Sequence, residues 1–315
     1  MIGLTDIQDA RTRIASRIRR TPLLRSSALG RMAGVRLFLK AEAFQKTGSF
    51  KVRGVFNRIA LMPEADRQRG IIAISAGNHA QAVAYAASAA GLHSIVVMPE
   101  SAATSKVEAS RDYGADIVLH GDVFAAFAKM EELRERHGYT LLHPFDDEAV
   151  IAGHGTLGLE IIEDLREVDL VIVPVGGGGL LAGVATAVKA LRPEARVVGV
   201  EPEGAAGLST ALAAGHGVRL ENILTIADGL APPMTGEAVL RQVRGLVDAV
   251  VTVSDAAIVR AVHLLITRAK LVVEPSGAAG LAALMEGVAG AGAGDRVAVV
   301  VSGGNMDLGR LKEIL

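Results

Sequence analysis

Leu170-Val-Ile-Val-Pro174-Val175-Gly176-Gly177-Gly178-Gly179-Leu180 is the stretch that decides the fold. From Leu170 to Val188 the chain carries no charge and is long enough to imitate a membrane span. Pro174 and four consecutive glycines argue against that reading, because each glycine in a helix interior costs about 1 kcal/mol. The run reads instead as a strand, a loop and a helix. A short strand with no polar alternation is buried on both faces, as in a parallel sheet.

The same pattern recurs outward from this segment. Ile71–Ile74 precedes a helical stretch from His79 to Ala90, and Ser94–Met98 precedes Thr104–Tyr113. Asp116–Leu119 precedes Val123–Arg136, and Val197–Val200 precedes Ala205–Ala214. Val297–Val301 reads as a last core strand. Val35, Leu37 and Leu39 alternate, as in a strand with one wetter face. Ile7, Ala10, Ile14 and Ile18 recur at helical spacing behind Thr5, with Gln8 at the capping-box position. Ser254 opens another helix. Gly215 to Glu237, with Pro232-Pro233, reads as a long irregular connection. Strands alternating with helices predict an α/β fold of parallel-rich sheets covered by helices. A length of 315 residues suggests two domains. The expected division is a large unit of residues 1–67 and 146–315, with a small unit, 68–145, inserted in it.

Composition narrows the function. The formal net charge is −1, and Arg17, Arg19 and Arg20 sit on a solvated helix face, so no basic footprint for nucleic acid exists. There is no cysteine, which removes disulfides, thiolate metal sites and cysteine nucleophiles. The N-terminus carries Asp6, Asp9 and Arg11 rather than an apolar core behind basic residues. A cytoplasmic protein without membrane segments is expected.

Ligands of parallel α/β sheets bind beyond the carboxyl ends of the strands. Three polar or glycine-rich loops fall there: Ser75-Ala76-Gly77-Asn78-His79, Gly176 to Gly179, and Ser302-Gly303-Gly304-Asn305. Gly177-x-Gly179-x-x-Ala182 fits the relaxed dinucleotide fingerprint, with Glu201 where a ribose-binding acid would sit. It fits equally a tight turn packing helix on sheet. Either way, glycine amides at a helix N-terminus suit a phosphate. Asn78 and His79 stand at a strand-to-helix turn, where the amides of residues 75 to 79 would hold a carboxylate, unless the turn is a simple cap. Lys51, in Thr47-Gly48-Ser49-Phe50-Lys51, falls in a first helical turn behind an expected Ser49 cap. The helix dipole and partial burial there would depress its pKa, favouring the neutral amine that Schiff-base chemistry needs. Alone, Lys51 reads more readily as a surface lysine on a polar face. His137, His143, His154 and His216 are scattered, without ligand spacing, and no metal site is expected.

Taken together, the segments resemble the threonine/serine dehydratase and serine racemase family of fold type II pyridoxal-phosphate enzymes. The resemblance spans nearly the whole chain. It rests on Lys46-Thr-Gly-Ser-Phe-Lys51-x-Arg-Gly54, Ser75-Ala-Gly-Asn-His79, Gly176 to Gly179, Ala227-Asp-Gly229, Glu274-Pro-Ser-Gly277 and Ser302-Gly-Gly-Asn305. It implies a two-domain enzyme with pyridoxal 5′-phosphate in the interdomain cleft. Lys51 would be the Schiff-base lysine and the base at the substrate's Cα, and Phe50 would pack near the cofactor. Asn78 would bond the cofactor's 3′ oxygen, Gly176, Gly177, Gly178 and Gly179 would hold its phosphate, and Ser302 would face its pyridine nitrogen. Gly229 and Glu274 would complete the cofactor site. Ser75, Ala76, Gly77, Asn78 and His79 would bind the substrate carboxylate. The implied activity is elimination from L-threonine or L-serine, in a short catabolic-type enzyme without a regulatory domain, acting as a homodimer or homotetramer.

Two departures matter. Ala76 stands where serine racemases of the family carry a second serine that serves as the opposite-face acid/base. Alanine has no proton to exchange, so elimination is favoured over racemisation. The racemase-type metal position would comprise Glu201, Ala205 and Gly207, and lacks its second carboxylate. In addition, Val123-Phe124-Ala125-Ala126-Phe127 is apolar where relatives place an arginine near the substrate. This is ordinary helix packing or a preference for a bulkier β-substituent, as in phenylserine. Hydroxyaspartate, serine racemisation, a nicotinamide dehydrogenase and a non-catalytic binding protein are the remaining alternatives.

Overall fold

The computed structural model describes residues 1–314. Among the described residues, ten strands form two sheets. The larger sheet holds β1 (Leu23–Arg25), β2 (Arg36–Ala41), β7 (Leu170–Pro174), β8 (Arg196–Pro202), β9 (Ala249–Val253) and β10 (Arg296–Val301), in the order β1-β2-β10-β7-β8-β9. The smaller holds β3 (Ile71–Ile74), β4 (Ser94–Met98), β5 (Asp116–Leu119) and β6 (Thr140–Leu141), in the order β5-β4-β3-β6. Every pairing is parallel except β1 with β2.

The apolar runs become strands for the reason the periodicity gives. All five residues of β7 and all five of β4 are buried. β2 departs from the expected wetter face. Leu37 and Leu39 are buried, but so is Lys40, because its ammonium meets Glu160 at 2.5 Å and the Thr21 carbonyl at 2.7 Å. The apolar cluster beneath the small sheet also draws on residues earlier in the chain, namely Ile14, Val52, Val55, Phe56 and Ile59. The helix Lys51–Ala60 therefore packs on that cluster as well as on the helix Glu148–Asp164.

Several local expectations are corrected. The first helix runs Leu4–Ile14 and is capped at Gly3, whose amide donates to Asp6 Oδ2 at 2.8 Å. Thr5 and Gln8 lie inside it, and Ile18 lies beyond its end. Ser49 does not cap the helix Lys51–Ala60. Phe50 holds the cap position in helical geometry, and the Ser49 hydroxyl has no partner. Ser254 does cap its helix, accepting from the Ala257 amide at 3.2 Å. Among the described residues no helix is long and apolar enough to cross a membrane.

Candidate active site

β10 lies between β2 and β7, so the segments after β10 and β7 emerge side by side. The Lys51 loop is stapled onto the segment after β10. The Phe50 amide donates to the Ser302 carbonyl at 3.1 Å, and the Gly304 amide to the Gly48 carbonyl at 2.9 Å. Ser49 and Gly303 form an isolated antiparallel bridge. Residues about 250 apart in the chain thereby fix where Lys51 enters its helix.

Lys51 is half-buried, and its amine donates to the Pro144 carbonyl at 2.8 Å. Its nitrogen lies 5.2 Å from the centre of the Phe50 ring. Burial among these groups, with no carboxylate beside it to compensate, lowers its pKa to about 8. The depression expected from the sequence is present, and desolvation is its cause. Three histidines approach the amine. His79, His143 and His154 all have pKa values lowered chiefly by burial, with the Lys51 charge adding to the effect. Reading His143 and His154 as scattered thus missed two neighbours of the site. His154 packs edge-on against Phe50, with ring centres 4.8 Å apart.

The turn after β3 leaves fewer free amides than its sequence suggests. The Ser75 amide is bonded to the Val97 carbonyl at 3.2 Å, and the Gly77 amide to Ser75 Oγ at 3.1 Å. Among the described residues, the amides of Ala76, Asn78 and His79 have no such partner, as expected where a helix begins at Asn78. The His79 side chain turns inward. Its Nε2 donates to the Leu142 carbonyl at 2.9 Å, and its pKa falls to about 3.

The glycine loop is built from positions where a side chain would not fit. Gly178 has φ +83°, a left-handed conformation that favours glycine. A Cβ on Gly177 would fall within the Phe145 ring, and one on Gly179 would lie 2.7 Å from the Phe145 carbonyl. One on Gly176 would lie 3.0 Å from the Gly229 carbonyl. The loop ends at the N-terminus of the helix Gly179–Leu191, so free amides and helix dipole point the same way. Gly229 is held by Ser276, whose Oγ accepts from its amide at 2.9 Å. Ser302 is buried, and its hydroxyl has only the Ser276 carbonyl, at 3.5 Å.

Asn78 and Glu274 meet directly. Asn78 Nδ2 donates to Glu274 Oε1 at 2.6 Å, and Asn78 Oδ1 accepts from Asn305 Nδ2 at 2.8 Å. Asn305 also donates to the Thr47 carbonyl at 2.7 Å. Asn305 closes the last motif, yet its tie to Asn78 has no signal in the sequence.

Glu201 does not stand ready for a ribose or a metal. Its carboxylate accepts from the amides of Leu208 and Ser209, at 2.6 and 3.0 Å, and from Ser209 Oγ at 2.7 Å. It caps the helix Gly207–Ala214. The dinucleotide reading thus loses its acid. No group of three or more possible metal-binding side chains forms among the described residues.

This arrangement has known counterparts. The family model described as "Pyridoxal-phosphate dependent enzyme" matches residues 14–303. The catabolic L-threonine dehydratase of Escherichia coli K12 is 43% identical, over 99% of this chain and 96% of its own. The crystal structure of the T.th. threonine deaminase superposes with a TM-score of 0.92 at 45% identity, covering 98% and 99% of the two chains. Maize serine racemase superposes with a TM-score of 0.94 at 39% identity, covering 99% and 96%. A family match over most of the chain, with relatives this similar along their whole length, places the chain in the pyridoxal-phosphate-dependent enzyme family.

Proposed function

We propose that the chain is an L-threonine/L-serine dehydratase, releasing 2-oxobutanoate or pyruvate and ammonia. The observation that carries this reading is the Lys51 amine. Burial lowers its pKa to about 8, and the residue following Ser75 is alanine. The names of similar relatives favour threonine.

The residues present suit pyridoxal phosphate. A lysine of lowered pKa is a competent partner for its aldehyde. The Gly176–Gly179 turn ends at the N-terminus of the helix Gly179–Leu191, whose free amides suit a phosphate. Ser302, a buried hydroxyl with one long contact, is available to the ring nitrogen. When bound, the cofactor delocalises the charge that develops at the substrate's Cα.

The chain's own residues would do the rest. The amides of Ala76, Asn78 and His79 would orient the substrate carboxylate. The neutral Lys51 amine would take the Cα proton as general base. Loss of the β-hydroxyl, which leaves with a proton as water, gives an enamine that hydrolyses to the 2-oxo acid and ammonia. A neutral Ser302 does not enforce a charged ring, which favours prompt departure of the β-group. Ala76 offers no second proton, so Lys51 would work alone, on one face.

The test has two parts. The purified protein should show a visible cofactor band that borohydride bleaches and that Lys51→Ala lacks. It should release 2-oxo acid from L-threonine and L-serine in preference to 3-hydroxyaspartate and phenylserine. Release from only the latter pair would reject the substrate assignment. D-serine formation should be at background and should rise in Ala76→Ser; appreciable D-serine from the unmodified chain would favour the racemase reading.

A further inference from the structure

The Asn78 side chain is held from both ends. Asn305 donates to its Oδ1 at 2.8 Å, and its Nδ2 donates to Glu274 Oε1 at 2.6 Å. An amide can face either way round, and here the partners decide. The Asn305 amino group, itself held by the Thr47 carbonyl, can only donate, so Oδ1 faces Asn305 and Nδ2 faces Glu274. An amide nitrogen carries two hydrogens. With one committed to Glu274, the other is left to point away from it.

We propose that Glu274 is a positioning residue that acts through Asn78, with Asn305 as its counterpart, and that this pair aims the remaining Asn78 N–H at the cofactor. The inference rests on the dehydratase reading above and adds to it who sets the geometry of Asn78.

Glu274 is placed for this and for little else. It is 2% exposed and sits at the start of the helix Pro275–Met285. Its amide donates to the Gly303 carbonyl at 3.3 Å, and its own carbonyl accepts from the Gly277 amide at 2.9 Å. A Cβ on Gly303 would collide with its carboxyl, so that glycine is what lets the carboxyl reach Asn78.

Glu274 also exchanges its proton within the working range. Burial pushes its pKa up to about 7, and the Asp228 carboxylate pushes the same way. The Asn78 hydrogen bond and the Lys106 ammonium oppose this. Lys106 and Asp228 are themselves an ion pair. Asp307 and Arg310, from the C-terminal segment, share with Glu274 a cavity of about 270 Å³. Among the described residues, these are the charged groups that line its surroundings. Below about pH 7 the carboxyl is neutral and a weaker acceptor for Asn78. Above it the carboxylate grips the amide harder. Cofactor geometry should therefore change through neutral pH.

The experiment measures cofactor affinity and the visible spectrum of the loaded protein against pH, in the unmodified chain and in Glu274→Gln, Glu274→Ala, Asn305→Ala and Asp228→Asn. Glutamine keeps an acceptor for Asn78 but cannot ionise. It should hold the cofactor within about three-fold and lose the spectral transition near pH 7. The two alanine variants should bind about ten-fold more weakly or worse. Asp228→Asn should move the transition to lower pH. Alanine variants that bind like the unmodified chain, or a transition unchanged in Glu274→Gln, overturn the inference while the dehydratase reading stands. An unmodified protein that takes up no cofactor overturns both. Should Glu274→Ala not fold, Glu274→Gln and Asn305→Ala decide.

Discussion

Replacing Arg53 by methionine should cost about 3–5 kcal/mol of stability, because it breaks a closed buried charge cluster. The Arg53 guanidinium is fully buried, two residues from Lys51. Its Nε and Nη2 bond the Glu42 carboxylate at 2.8 and 2.9 Å. Nη1 and Nη2 bond Glu160 at 2.7 and 2.9 Å, and Nη1 reaches Thr156 Oγ1 at 3.1 Å. Lys40 balances the second carboxylate. Two cations thus neutralise two carboxylates. Methionine fills much of the volume but leaves two carboxylates and one ammonium out of water, so one negative charge is unpaired. A loss of this size is a large share of the roughly 5–15 kcal/mol typical of a folded domain. Arg53→Lys keeps the charge and loses the two-sided fork, so its loss should be smaller. Glu42→Gln added to Arg53→Met removes the orphaned charge and should recover at least about half of the loss. Urea unfolding of the cofactor-free proteins measures the three variants against the unmodified chain. A loss under about 1 kcal/mol for Arg53→Met, or a double variant no more stable than the single, would refute the charge-balance account.

Lys51→Met should stabilise the cofactor-free protein at pH 7. The fold lowers the Lys51 pKa from 10.5 to about 8, so the folded chain holds this proton less tightly than the unfolded one. The penalty is full below about pH 8 and fades as pH rises towards 10.5, where the two proteins should converge. Because the side chain keeps an open side, roughly 1–2 kcal/mol is expected; equal unfolding midpoints at pH 7 would count against the depressed pKa. Gly177→Ala drives a methyl into the Phe145 ring and should weaken cofactor binding about ten-fold or more. Phe145→Ala should partly restore it, and no rescue would mean the clash is not the cause. Glu201→Ala should cost about 1–2 kcal/mol as a lost helix cap, with cofactor affinity unchanged. Equilibrium binding checks this, and lost affinity would show that Glu201 does more than cap.

The strands and the loops that carry the chemistry are legible in the chain itself. β4 coincides with the apolar run Ser94–Met98, β7 ends within one residue of the run that predicts it, and the glycine turn lies between β7 and its helix as expected. These features are local. Burial on both faces leaves an uninterrupted apolar run, and a close turn leaves glycines. How the loops are held together is decided by the tertiary fold. The Asn78–Glu274 bond joins residues 196 apart, and the Lys51–Pro144 bond joins residues 93 apart. The expected Ser49 cap failed because long-range bonds to Ser302 and Gly304 hold that loop. The direction in which His79 points, and the proton affinities of Lys51 and Glu274, depend on how much water and charge the assembled walls leave around each group. No spacing in the chain encodes that.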